Sequence, residues 1–95
     1  MESVPYQIEF GERFAGCLAK VPHEIRRIFA KRLDGKYKTY ANFEHKKGGV
    51  PFYSDWIGSK YRVCFLQDGQ TRRMEFIGDH KQYDRFLAEW ERRMK

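Results

Sequence analysis

Between Lys60 and Asp84 the chain reads KYRVCFLQDGQTRRMEFIGDHKQYD, two alternating apolar and polar runs on either side of Asp68-Gly69. Alternation with period two marks a strand with one buried face. An Asp-Gly pair between two such runs predicts a β-hairpin closed by a type I′ turn, whose central residues both need positive φ. With Gln67 and Gln70 as flanks, Leu66 faces Thr71, Cys64 faces Arg73 and Arg62 faces Glu75. On the other side Phe65 faces Arg72, Val63 faces Met74 and Tyr61 faces Phe76. One face is then mostly apolar (Tyr61, Val63, Phe65, Met74, Phe76), and the other carries Arg62, Arg73 and Glu75. Such a sheet packs helices on the first face and offers the second to solvent or a ligand.

The same reading extends along the chain. Tyr6 to Phe10 alternates as a short strand, and Gly11 breaks it. From Glu12 to Lys20, Phe14, Cys17, Leu18 and Val21 recur at helical spacing. Pro22 suits the first turn of a second helix, where its missing N–H costs nothing. There Ile25, Ile28, Phe29 and Leu33 form one apolar stripe, and Asp34-Gly35 ends it. Lys36 to Gly49 is irregular, Phe52 to Ile57 reads as a strand, and Gly58-Ser59 as a tight turn. In the last helix, Lys81 to Met94, the residues Tyr83, Phe86, Leu87, Trp90 and Met94 make one stripe. The order is β-α-α-β-β-β-α. The three C-terminal strands form an antiparallel meander, and the N-terminal strand must join them, since alone it buries nothing. The fold class is α+β: one small domain over residues 1–95, an antiparallel sheet with two N-terminal helices on one face, and a C-terminal helix.

Composition narrows the partners. The 95 residues are 41% hydrophobic and 17% aromatic, which favours a folded chain. Lys and Arg number 19 against 13 Asp and Glu, a net +6 that favours a polyanion: nucleic acid, an anionic membrane or an acidic protein. No run is apolar enough to span a bilayer. Cys17 and Cys64 are far apart, which suits free thiols in the cytoplasm, and the scattered His23, His45 and His80 predict no metal site. No cofactor motif is present. Between Lys36 and Lys47, cations alternate with Tyr37, Tyr40 and Phe43, a pattern suited to unpaired RNA and equally to a basic loop beside a core.

Two segments resemble a known family. The β-α-α-β-β-β order in a small basic chain, together with WIGSKYRVCF from Trp56 to Phe65, resembles the RelE/ParE superfamily of bacterial toxins. MEFIGDHKQYDRF, from Met74 to Phe86, resembles its HigB branch, in which a strand ends in Gly-x-His-x-x-Tyr-Asp. The resemblance covers most of the chain in outline and is specific over about thirty residues. It implies a ribosome-dependent messenger-RNA endonuclease, neutralised by a cognate antitoxin. The RelE branch carries lysines near the positions of Tyr53 and Asp55. Neither is present, so Lys46, Lys47 and Lys60 are the substitutes and the general base is unassigned.

Metal-free RNA cleavage needs a base for the 2′-OH, a cation for the phosphorane and an acid for the leaving 5′-oxygen. The resemblance assigns the phosphate to Arg62, whose planar fork binds two oxygens; the alternative is an ion pair with Glu75. It assigns proton transfer to His80, with a helix-start role as the alternative and His45 in reserve. Tyr83 either stacks or assists as an acid, or packs in the core. Lys46, Lys47, Lys60, Arg73 and Lys81 would hold RNA, and Asp79 suits a helix N-cap. Two other functions share these features: a ParE-like toxin that inhibits gyrase, and a non-enzymatic module that binds RNA or an acidic protein.

Overall fold

The computed structural model describes residues 5–39, 43–45 and 52–94. Lys46 and Lys47 lie outside the described residues. The elements are β1 (Gln7–Phe10), α1 (Phe14–Lys20), α2 (His23–Asp34), a 3-10 turn (Lys36–Lys38), β2 (Glu44–His45), β3 (Tyr53–Ile57), β4 (Tyr61–Asp68), β5 (Thr71–Asp79) and α3 (His80–Met94). Pro22 stands one position earlier than expected: it caps α2, and its carbonyl accepts the N–H groups of Ile25 and Arg26. Cys17 and Cys64 are free thiols. Among the described residues, no helix is long and apolar enough to cross a membrane.

The strands form one sheet in the order β1-β5-β4-β3-β2. The expected meander is present, and the N-terminal strand joins it. The sheet is mixed, however, not antiparallel throughout: β1 runs parallel to β5, pairing Gln7 with Thr71 and Phe10 with Met74. Both strands deliver the chain to the same end of the sheet, where a helix follows each.

The hairpin departs from the expected register in two ways. Its turn is centred on Gly69-Gln70, with Asp68 paired to Thr71. Gly69 takes φ 58°, and no described non-glycine residue has positive φ. This is the pattern of a type II′ turn, with glycine first, and not of the type I′ turn that Asp68-Gly69 suggested. The turn therefore moves by one residue and the pairing by two, which leaves each side chain on its face. The second departure does not. Phe65 pairs with Met74 but Cys64 pairs with Phe76, so Glu75 is an extra residue in β5. Such a bulge exchanges the faces of everything beyond it.

Two cores result. Val63, Phe65, Met74, Ile77 and Ile57 pack with Phe14 of α1, with Ile25 and Phe29 of α2, and with Tyr37. Cys64, Phe76 and Phe52 pack with Tyr83, and Phe86, Leu87 and Trp90 of α3 lie against them. Phe76 thus leaves the Met74 face, contrary to the continuous alternation. The face expected to stay open is covered along much of its length by α3. An isolated helix of fifteen residues is marginal in water. Each large apolar side chain that α3 buries contributes about 1.5–3 kcal/mol, so packing on this face holds the helix.

Two polar clusters tie the layers together. The carboxylate of Asp55 accepts hydrogen bonds from Arg32 Nη1, Lys36 Nζ and Tyr37 Oη, each at 2.8 Å, and Arg32 also donates to the carbonyl of Trp56. Burial, then the adjacent Asp55, holds the Tyr37 hydroxyl well above its ordinary pKa. Arg72 is only 2% exposed. It donates to Gln67 Oε1 at 3.0 Å and to the carbonyls of Tyr37 and Thr39 at 2.7 and 3.0 Å, and its guanidinium lies 3.7 Å from the Tyr6 ring centroid.

Candidate functional site

Arg62 stands near the start of the central strand, paired with Trp56 on β3 and Gly78 on β5. The turn through Gly58, at φ 66°, and the exposed Lys60 lead into it. Its guanidinium carbon lies 4.0 Å from the Trp56 ring centroid and 4.5 Å from that of Tyr83, so the cation lies over two aromatic rings. The expected cross-strand pair with Glu75 does not form: the shifted register gives Glu75 to Arg73, at 3.0 Å from Nε to Oε1. Among the described residues no carboxylate pairs with Arg62, and its buried Nε has no hydrogen-bond partner. Its charge is therefore oriented by stacking and not neutralised.

The strand-to-helix corner is built by Gly78, Asp79 and Gln82. A Cβ on Gly78 would lie 2.6 Å from Gln82 Oε1 and 2.7 Å from Phe76 Cζ, so only glycine leaves room here. The Asp79 carboxylate accepts the Gln82 N–H, and Gln82 Oε1 accepts the Asp79 N–H, both at 2.9 Å. This reciprocal cap fixes the first turn of α3, as expected for Asp79. The same turn carries His80, Lys81 and Tyr83. The His80 side chain is 71% exposed and its Nε2 lies 3.5 Å from Asp84 Oδ2. Lys81 is exposed. Tyr83 is 3% exposed and packs on Phe76, with 6.1 Å between ring centroids, and its ring also meets the Arg62 guanidinium. Its two expected roles, core packing and membership of the site, thus meet in one position.

The structure brings Lys60, Arg62, His80, Lys81 and Tyr83 to one end of the sheet. Arg73 is not among them: it pairs opposite Leu66, well along the hairpin. The backbone of His45 belongs to β2, opposite Tyr53. The positions where the RelE branch has lysines serve the fold here: Asp55 anchors Arg32, Lys36 and Tyr37, and Tyr53 stacks on Phe65 at 5.8 Å. One residue of the site, Trp56, is absent from the sequence-based candidates. It is 41% exposed despite its size. Its trace in the sequence is a tryptophan in a strand beside a Tyr-Arg strand start, which has meaning only once Arg62 is its cross-strand neighbour.

Away from this end, a groove of about 500 Å³ runs between α1 and α3, floored by Phe52, Leu66 and Phe76. Glu75 lies in its wall, and burial raises its pKa above the ordinary 4.5 against the opposing pull of Arg73. A carboxyl whose pKa rises on folding favours the fold while protonated and loses that contribution as pH rises through the folded value. Glu75→Gln is therefore expected to melt higher than wild type at neutral pH, with the gap closing as the solution is acidified. Melting curves at several pH values check this; a gap that widens in acid contradicts it.

The fold is that of the RelE toxins. The RelBE2 toxin–antitoxin complex of Mycobacterium tuberculosis matches with a TM-score of 0.71 at 18% identity, over 83% of this chain and 95% of that one. A mutant of Escherichia coli RelE in the free state matches with a TM-score of 0.71 at 18% identity, over 93% and 97%. The RelB–RelE complex of Methanococcus jannaschii matches with a TM-score of 0.63 at 23% identity, over 82% and 98%. No protein-family model matches the chain, and no curated protein does.

Proposed function

We propose that this chain is a toxin of the RelE kind, a cytoplasmic endoribonuclease that cuts messenger RNA on the ribosome and is neutralised by a cognate antitoxin. The observation that carries the reading is Arg62. It is a cation without a carboxylate partner among the described residues, lying over the rings of Trp56 and Tyr83 at the end of the sheet where the exposed His80 begins α3. Solved relatives in fold are toxin–antitoxin complexes, which supports the partner.

In this mechanism the RNA 2′-oxygen attacks the adjacent phosphorus and the bond from phosphorus to the 5′-oxygen breaks, leaving a 2′,3′-cyclic phosphate and a 5′-hydroxyl. Arg62 stabilises the charge that grows on the non-bridging oxygens. His80 gives a proton to the leaving oxygen, and its solvated position lets it recover one from water. Tyr83 orients Arg62 through its ring. Lys60 and Lys81 hold neighbouring phosphates. The base for the 2′-OH is drawn from Lys46, Lys47 or Lys60, with His45 in reserve.

Induced expression in a bacterium, with primer extension on an abundant messenger, tests the reading. Growth arrest with new 5′ ends inside translated codons is expected. Arrest without new ends, accompanied by altered DNA supercoiling, would replace it with gyrase inhibition. No arrest would leave a non-enzymatic binding module.

A further inference from the structure

We propose that Trp56 is a base-stacking platform: the open face of its indole takes the nucleobase beside the phosphate held by Arg62. This inference rests on reading the site as one for single-stranded RNA. Only two large apolar side chains are exposed among the described residues, Phe10 and Trp56. Phe10 closes β1 and leans on Phe14, with 5.5 Å between ring centroids. Trp56 projects from mid-strand, at a position that alternation alone would give to a polar residue. The Arg62 guanidinium lies over its ring, and also over the ring of Tyr83. Trp56 thus sets a 41% exposed indole directly beside a cation that has no carboxylate partner among the described residues, and its exposed surface is where a nucleobase would stack. Unpaired bases bind proteins largely by stacking on aromatic rings next to phosphate-holding cations.

The platform is also stiff. The Trp56 carbonyl accepts a hydrogen bond from Arg32, and three donors grip the neighbouring Asp55. A ring already held in place loses little freedom when a base lands on it. Every base has a π-face, so the platform selects by stacking strength and favours purines.

The test uses the intact protein and a short single-stranded RNA with every 2′-OH methylated, which binds without being cut. Affinity is measured for wild type and Trp56→Leu against the parent strand and against strands with one abasic nucleotide at each position in turn. Trp56→Leu is expected to bind the parent about 5- to 150-fold more weakly. At one position the abasic strand is expected to lose a similar factor with wild type and almost nothing further with Trp56→Leu, because base and indole are two halves of one contact. Equal abasic penalties in both proteins would mean that Trp56 only holds Arg62, and would overturn the platform. Trp56→Phe keeps a ring and is expected to retain part of the coupling, which covers a leucine variant that fails to fold. Where binding is too weak for an isotherm, the Trp56 indole N–H resonance is followed; its failure to move at millimolar RNA also overturns the platform. Coupling without messenger cleavage in cells leaves the platform standing and removes the nuclease reading. Cleavage without coupling does the reverse.

Discussion

Arg62→Ala is expected to lower RNA cleavage by about 10²–10³-fold, the usual cost of removing one preorganised donor from a developing oxyanion. The same change is expected to leave the fold intact. The side chain loses a contact with Trp56 and another with Tyr83, each worth about 0.5–2 kcal/mol at most. It also removes a buried Nε that has no hydrogen-bond partner, which offsets part of that loss. Activity and stability therefore separate, and measuring both on one preparation is decisive. Lysine at this position keeps the charge but not the planar fork that lies over the two rings, so Arg62→Lys is expected to recover little. His80→Ala gives a parallel case. Its exposed side chain contributes little to the fold, while loss of a proton-transfer group costs about 10²–10⁴-fold in rate. Cleavage at the wild-type rate in both variants would place the chemistry elsewhere on the surface.

Arg72→Ala is expected to act in the opposite sense, destabilising the protein by about 3–5 kcal/mol. The guanidinium is buried and donates to two backbone carbonyls, those of Tyr37 and Thr39, as well as to Gln67. Removing it leaves those acceptors without a donor, at about 1–3 kcal/mol each, and opens a cavity under Tyr6 and Phe43. Desolvation lowers the Arg72 pKa, so the native cation is already held at some cost, and its hydrogen bonds and ring contacts outweigh that cost. Small domains have only about 5–15 kcal/mol in total, so the variant sits close to unfolding. Urea denaturation checks the figure; a midpoint within error of wild type would contradict it. Arg62 and Arg72, ten positions apart on the two arms of one hairpin, then have opposite profiles: one tunes rate, the other stability.

Much of the fold was legible because apolar spacing distinguishes strands from helices. The order of the long elements, the paired N-terminal helices and the final helix all follow from it. The hairpin was legible in place but not in register. A type II′ turn at Gly69-Gln70 and a type I′ turn at Asp68-Gly69 leave the same residues on the same face, since they differ by two in pairing. The bulge was harder. Met74, Glu75 and Phe76 alternate as an ordinary strand would, and the only trace is the adjacent apolar pair Phe76-Ile77 that follows. The direction of β1 could not be read from four residues. At the site, Arg62, His80 and Tyr83 came from resemblance to a motif, and the spacing alone left each with a structural alternative. Trp56 was hidden because an aromatic in a strand reads as core until its neighbours are known. Arg72 was hidden for the converse reason: a charge in a basic chain reads as surface, whereas here Tyr6, Phe43, Phe65 and two carbonyls enclose it.

The extra residue at Glu75 sets the parity of the last strand. Before it, odd and even positions of β5 belong to one pair of faces; after it, they have traded places. A regular strand of the same length, with Glu75 opposite Cys64 and no bulge, would turn Gly78 towards the layer of α1 and α2 and present Ile77 to α3. The gap that only glycine can leave beside Gln82 would then open on the wrong side. His80 would leave the sheet half a turn of the strand away from Arg62. The end of the sheet that carries Arg62 is thus indexed to the hairpin turn by a single bulged residue.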